Sequence, residues 1–129
     1  MEHHIGRERW MTNPATGEKC AVSVIRDAVY FPPIGESDYD GGEWGTYRFG
    51  AWLEEDLWDK GCFIISFPYW RNGNFAGQYS LRVEPLVLRR LLRLMESRGW
   101  LRQKGWSDRQ RKSRPTIRST PTRRKRRAG

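Results

Sequence analysis

Apolar positions fall into period-two runs up to about residue 83, switch to a helical period over the next fifteen residues, and then almost cease. The Val- and Ile-rich run Cys20 to Tyr30 reads as a first strand. Trp44 to Leu53 reads as a second, with glycines marking a bend. Cys62 to Tyr69 and Gly77 to Val83 follow as a third and fourth. Between these last two, Asn72-Gly73 supplies residues that tolerate positive φ, so an antiparallel hairpin is expected. Residues 1 to 19 read as an irregular lead-in with a turn at Asn13 to Glu18, and Glu54 to Gly61 as one helical turn.

Glu84 to Arg98 is the expected helix, with Glu84 at the cap, Pro85 at the first helical position and Gly99 as the stop. Val87, Leu88, Leu91, Leu92, Leu94 and Met95 share one arc of it, and Arg89, Arg90, Arg93 and Glu96 the opposite arc. Alternation puts Tyr47, Phe49, Leu53, Phe63, Ile65, Phe67, Tyr79, Leu81 and Val83 on the sheet face that this helix should cover. Trp44, Thr46, Arg48, Trp52, Cys62, Ile64, Ser66, Gln78, Ser80 and Arg82 then form the outward face. The expected fold is α+β: a small curved antiparallel sheet of about four strands packed against one C-terminal amphipathic helix. The boundaries are a lead-in over 1–19, a domain over 20–106 and a disordered basic tail over 107–129.

Charge separates the last segment from the rest. Of 24 Lys and Arg residues, ten lie between Ser107 and Gly129 against one acid, Asp108, while 14 basic and 14 acidic residues balance in Met1 to Trp106. The tail residues Arg109, Arg111, Lys112, Arg114, Arg118, Arg123, Arg124, Lys125, Arg126 and Arg127 are interrupted by Pro115 and Pro121, and Ile117 is their one sizeable apolar neighbour. Such a segment cannot bury enough surface to offset the entropy of ordering. A flexible polycation attracts phosphate chains and releases their condensed counterions, so nucleic acid or a nucleoprotein complex is the expected partner.

The outward face would add selectivity. Bases stack on aromatic rings while guanidinium groups contact phosphate, so Arg48, Trp52 and Arg82, with Tyr69, Trp70 and Arg71 at the hairpin, are candidate contacts to single strands. Seven Trp in a chain of 129 residues make it hard to bury all of them. The segment GCFIISFPYWRNGNFAGQYSLRVEPLVLRRLLRLM, residues 61–95, resembles the positive cofactor four family of transcriptional coactivators in its strand, aromatic hairpin, second strand and amphipathic helix. That resemblance implies a curved sheet binding single-stranded DNA as a homodimer, with Tyr69, Trp70 and Arg71 matching the aromatic and basic hairpin. The basic tail after the helix and the acidic loop before the second strand depart from the family.

Two other functions stay open. An interaction or inhibitor protein, of the kind phages and mobile elements encode, would use Trp residues as anchors on a nucleoprotein complex. A metal-dependent nuclease would use Glu36, Asp38, Asp40 and Glu43, although their spacing lacks the later ligands of a calcium loop. His3 and His4 have no third ligand at helical spacing, and no phosphate loop, nucleophile elbow or deaminase motif occurs, so neither a catalytic residue nor a cofactor or metal is expected. Cys20 and Cys62 are the only cysteines and read as buried free thiols of a reduced cytoplasmic protein. No run of about 18 apolar residues suggests a membrane span.

Overall fold

A computed structural model describes residues 4–77 and 81–105. The fold is α+β, but its sheet is larger than the four strands expected: among the described residues eight strands form one antiparallel sheet with a single α-helix after it. Part of the expected lead-in is itself a strand, β1 (Glu8–Thr12), which turns through Asn13 to Glu18 into β2 (Lys19–Phe31). Asn13 makes that turn by accepting the Ala15 N–H on its side chain, while its own N–H reaches the Glu18 carbonyl. The short strand β3 (Tyr39–Asp40) precedes the long β4 (Thr46–Asp56). Glu54, Glu55 and Asp56 therefore extend β4 rather than beginning a helical turn.

Two strands share each edge of β4. β2 and β3 lie along one edge, and β5 (Phe63–Ser66) and β6 (Tyr69–Arg71) along the other. Pro68 explains the break between β5 and β6, because it has no N–H to donate, yet its carbonyl still accepts from Gly50 N at 2.8 Å and the register is kept. The expected hairpin is real but tighter. β6 turns through Asn72 (φ 51°) and Gly73 (φ 83°) directly into β7 (Asn74–Phe75). β8 (Arg82–Val83) then pairs with β5, so the antiparallel pairing of the third and fourth runs holds while their loop contributes a hairpin of its own.

The helix α1 (Pro85–Ser97) matches the sequence expectation closely. Glu84 is extended at its start, and Gly99 (φ 75°) adopts the left-handed stop while its N–H reaches Glu96 O at 2.9 Å. Its packing does not match. No side chain of α1 is buried, and its main contacts are with β5 and with the short turn Trp100–Arg102 after it.

The inside and outside of the sheet are also reversed from expectation. Arg48, Trp52, Glu54, Ser66 and Trp70 are buried, together with Ser23, Val24 and Ile25 of β2. Ile25, Trp52 and Trp70 form the core, flanked by Ala28 and Tyr30. The first turn of the chain closes over it: the His4 ring lies 5.3 Å from Trp52 and 5.5 Å from Trp70, and Tyr30 OH receives the indole N–H of Trp52 at 3.0 Å. Desolvation raises the Tyr30 phenol above its ordinary pKa despite that hydrogen bond. The opposite face, expected to lie under the helix, leaves Val29, Phe31, Phe49 and Phe63 exposed.

Candidate nucleic-acid interface

Period two places Tyr47 and Phe49 on the open face of β4, and the pairings of β4 bring Tyr39, Phe31 and Tyr69 beside them. Five rings form a continuous array. Tyr47 and Phe49 stack with centroids 5.5 Å apart and planes 7° from parallel, and Tyr69 stacks on Phe49 at 6.4 Å. Tyr39 links Phe49 to Phe31 through centroid distances of 6.4 and 6.2 Å. Phe31 is 60% exposed and Phe49 43%, so the array offers open ring surface at its centre and end.

Arg71 sits at the edge of this array, opposite Tyr47 in the β6–β4 register. Its Nε donates to the Trp44 carbonyl at 2.9 Å, and Tyr47 OH donates to the same oxygen at 3.2 Å. One backbone acceptor thus holds both a ring and a guanidinium in place. Arg71 itself is exposed.

The other expected contacts fall elsewhere. Trp52 and Trp70 are 4% and 8% exposed and have no ring face open to a base. Arg48 is buried and held by Asp38 at 3.1 Å and by the Glu36 carbonyl. Arg82 is committed to Glu54 at 2.7 Å. Tyr69 and Arg71 alone among the expected body residues lie at the open array, and the ten basic residues from Arg109 to Arg127 fall outside the described residues.

Arg48 and Arg82 turned inward because each found a carboxylate there. Glu54 is fully buried, and its two oxygens accept from Ser23 Oγ at 2.6 Å, Arg82 Nη2 at 2.7 Å, Arg9 Nη1 at 2.7 Å and Ser66 Oγ. Burial alone would raise this carboxyl, but the two serine hydrogen bonds and the charges of Arg9 and Arg82 outweigh it and hold the group below its ordinary value. Every lone pair of Glu54 is thereby engaged, which marks a structural ion network.

The acidic loop gives no metal geometry. Asp38 faces Arg48 and Asp40 accepts the Gly42 N–H at 2.8 Å, and no three potential ligands converge among the described residues. Cys20 and Cys62 are free as expected but exposed rather than buried, because each stands at the end of its apolar run. Cys62 Sγ donates to Asp59 Oδ2 at 3.2 Å, and that hydrogen bond, with the charge beside it, raises the thiol. No described helix is long and apolar enough to cross a membrane.

The array contains residues that sequence reasoning placed wrongly or passed over. Tyr47 and Phe49 were expected beneath the helix, and Phe31 and Tyr39 flank a loop rich in Pro, Gly and acids. The available signal was an aromatic at each end of that loop, where a solvated connection needs none. No protein-family model, no curated protein and no solved structure matches this chain.

Proposed function

We propose that the chain binds single-stranded nucleic acid, with the aromatic array receiving bases, Arg71 contacting the backbone and the basic tail supplying affinity. The observation that carries this reading is the open stack of Phe31, Tyr39, Phe49, Tyr47 and Tyr69 on one sheet face of a chain with net charge +9. Stacking is sequence-tolerant because every base has a π-face, whereas a duplex keeps its faces covered. The direct test is anisotropy of labelled oligonucleotides, single-stranded and duplex, titrated with the intact chain and with Phe49→Ala. Selective weakening of single-strand binding supports the array, and equal affinities for both substrates and both proteins reject it.

A second reading, an interaction protein that anchors on a nucleoprotein complex, draws on the exposed Trp10, Trp58 and Trp100. It predicts no affinity for free oligonucleotides beyond that of the tail. Intact binding after removal of the tail separates the two readings.

A further inference from the structure

A β-bulge near the middle of β2 decides which of its side chains reach the open face of the sheet. Ile25 stands opposite Glu54 and Asp27 opposite Leu53, so Arg26 is the extra residue. Strict alternation from the buried Ile25 would carry Asp27 inward with it. The bulge instead turns Asp27 to the open face, in phase with Val29 and Phe31. There Val29, Ala51, Leu53 and Ile65 line a shallow groove of about 190 Å³, with Asp27 at its rim. The paired Val29 and Ala51 lie two residues along from the paired Phe31 and Phe49, about 7 Å at ordinary strand rise, so the groove continues the aromatic array.

The rim carboxylate is held but not used up. Asp27 Oδ1 accepts the Ala28 N–H at 2.8 Å, and Oδ2 has no hydrogen-bond partner among the described residues. Glu55, two residues beyond Leu53, is by contrast occupied on both oxygens, by Arg26 Nε at 2.8 Å and by Gly61 N at 2.8 Å. The indole N–H of Trp52, which also borders the groove, is given to Tyr30 OH at 3.0 Å. What remains is an apolar slot with an acceptor at its edge.

We propose that this groove receives one base of the bound strand and selects guanine, with Asp27 reading it, an assignment that rests on the array being the single-strand site. An ionised carboxylate can only accept hydrogen bonds. Among the four bases guanine alone presents two neighbouring donors, N1–H and the 2-amino group, which together span both oxygens of Asp27. Adenine and cytosine set an acceptor nitrogen beside their amino group, and thymine flanks its N–H with carbonyls, so each brings a lone pair against the carboxylate. An acid left without such a donor pair also repels the phosphates of the strand, so the groove rejects the other bases as well as favouring guanine. Its volume lies below the roughly 300–1,000 Å³ of pockets for drug-sized ligands and suits a single planar base.

The test is anisotropy of labelled oligonucleotides of equal length titrated with the intact chain: oligothymidylate, the same strand with one central guanine, and the same strand with hypoxanthine there, which keeps N1–H and lacks the 2-amino group. The guanine strand should bind about tenfold tighter than oligothymidylate, and the hypoxanthine strand should lose most of that gain. Asp27→Asn keeps an acceptor for the Ala28 N–H but has only one oxygen, so its affinities for the three strands should agree within about twofold. Ala51→Leu fills the groove floor and should erase the preference as well. Equal affinities of the intact chain for all three strands, with binding still weakened by Phe49→Ala, overturn the groove and leave the array standing. Binding that Phe49→Ala does not weaken overturns both. A guanine preference that survives Asp27→Asn also overturns the assignment, because another group would then be reading the base.

Discussion

Arg9 of β1 and Glu54 of β4 meet at 2.7 Å across the whole width of β2, and the Arg9 guanidinium lies over the Trp52 ring at 4.9 Å on the way. This contact ties an edge strand to the central strand through side chains alone. Removing Glu54 would leave Arg9, Arg82 and two buried hydroxyls without their acceptor. Glu54→Ala is therefore expected to cost about 3 kcal/mol, the lower end for one partner of a buried pair, since both arginines keep some contact with water. Urea denaturation of the two proteins measures it.

The same carboxylate sets an acid limit. Its folded pKa lies below its unfolded value, so its contribution is complete above the ordinary carboxylate range and is lost as pH falls through the depressed value. Between pH 7 and pH 3 the intact chain should lose more stability than Glu54→Gln, which carries no titrating group at that position. Parallel stability-against-pH curves would show that Glu54 contributes nothing to acid sensitivity.

Burial separates two kinds of leucine-sized residue. Ile25 is 2% exposed within the Trp52 and Trp70 core, so Ile25→Ala should cost about 2–5 kcal/mol. Leu94 is 59% exposed, and Leu94→Ala should change unfolding at sub-micromolar concentration by less than about 0.5 kcal/mol. A large loss at Leu94 would mean that its side chain is packed rather than exposed.

Ring surface, rather than tryptophan count, should govern single-strand affinity. Phe49→Ala is expected to weaken single-strand binding by about 1–3 kcal/mol with little change in duplex binding. Trp70→Ala should instead lower the melting temperature, since its ring packs against Trp52, Tyr30 and Phe75. Anisotropy and thermal denaturation on both variants distinguish the two effects.

Deleting residues 107–129 removes ten basic side chains and one acidic one from a body that is otherwise balanced. Affinity for every nucleic acid should fall, and the slope of log K against log salt should flatten because fewer phosphates are neutralised. Phe49→Ala should leave that slope unchanged. A salt-titrated affinity series on both proteins checks the division.

Local chemistry was legible from the chain; the choice of inner face was not. Pro85 and Gly99 bound the helix, and Asn72-Gly73 turned the hairpin, because each acts through its own backbone. Alternation along the second strand separated Arg48 and Trp52 from Tyr47, Phe49 and Leu53, but both sets contain aromatics, so period alone could not choose the inner one. Arg48 and Arg82 argued for solvent on that side. They turn inward because Asp38 meets Arg48 and Glu54 meets Arg82, and Glu54, read as the start of a helical turn, is also met by Arg9 from a segment without apolar alternation. A buried ion network is invisible until the strands that supply its partners are placed. The helix was misjudged for a related reason: an amphipathic stripe marks an apolar side, but not how far the sheet reaches beneath it.

Because β4 takes β2 and β3 along one edge and β5 and β6 along the other, its two sides are completed at different moments of synthesis. By the time Asp56 has emerged from the ribosome, the first edge can already be closed, while the second still exposes a row of N–H and C=O groups from Thr46 to Asp56. An open edge of that length invites pairing with another nascent chain. The hazard ends when Arg71 follows, fifteen residues later, and the nascent sheet has no unguarded centre left.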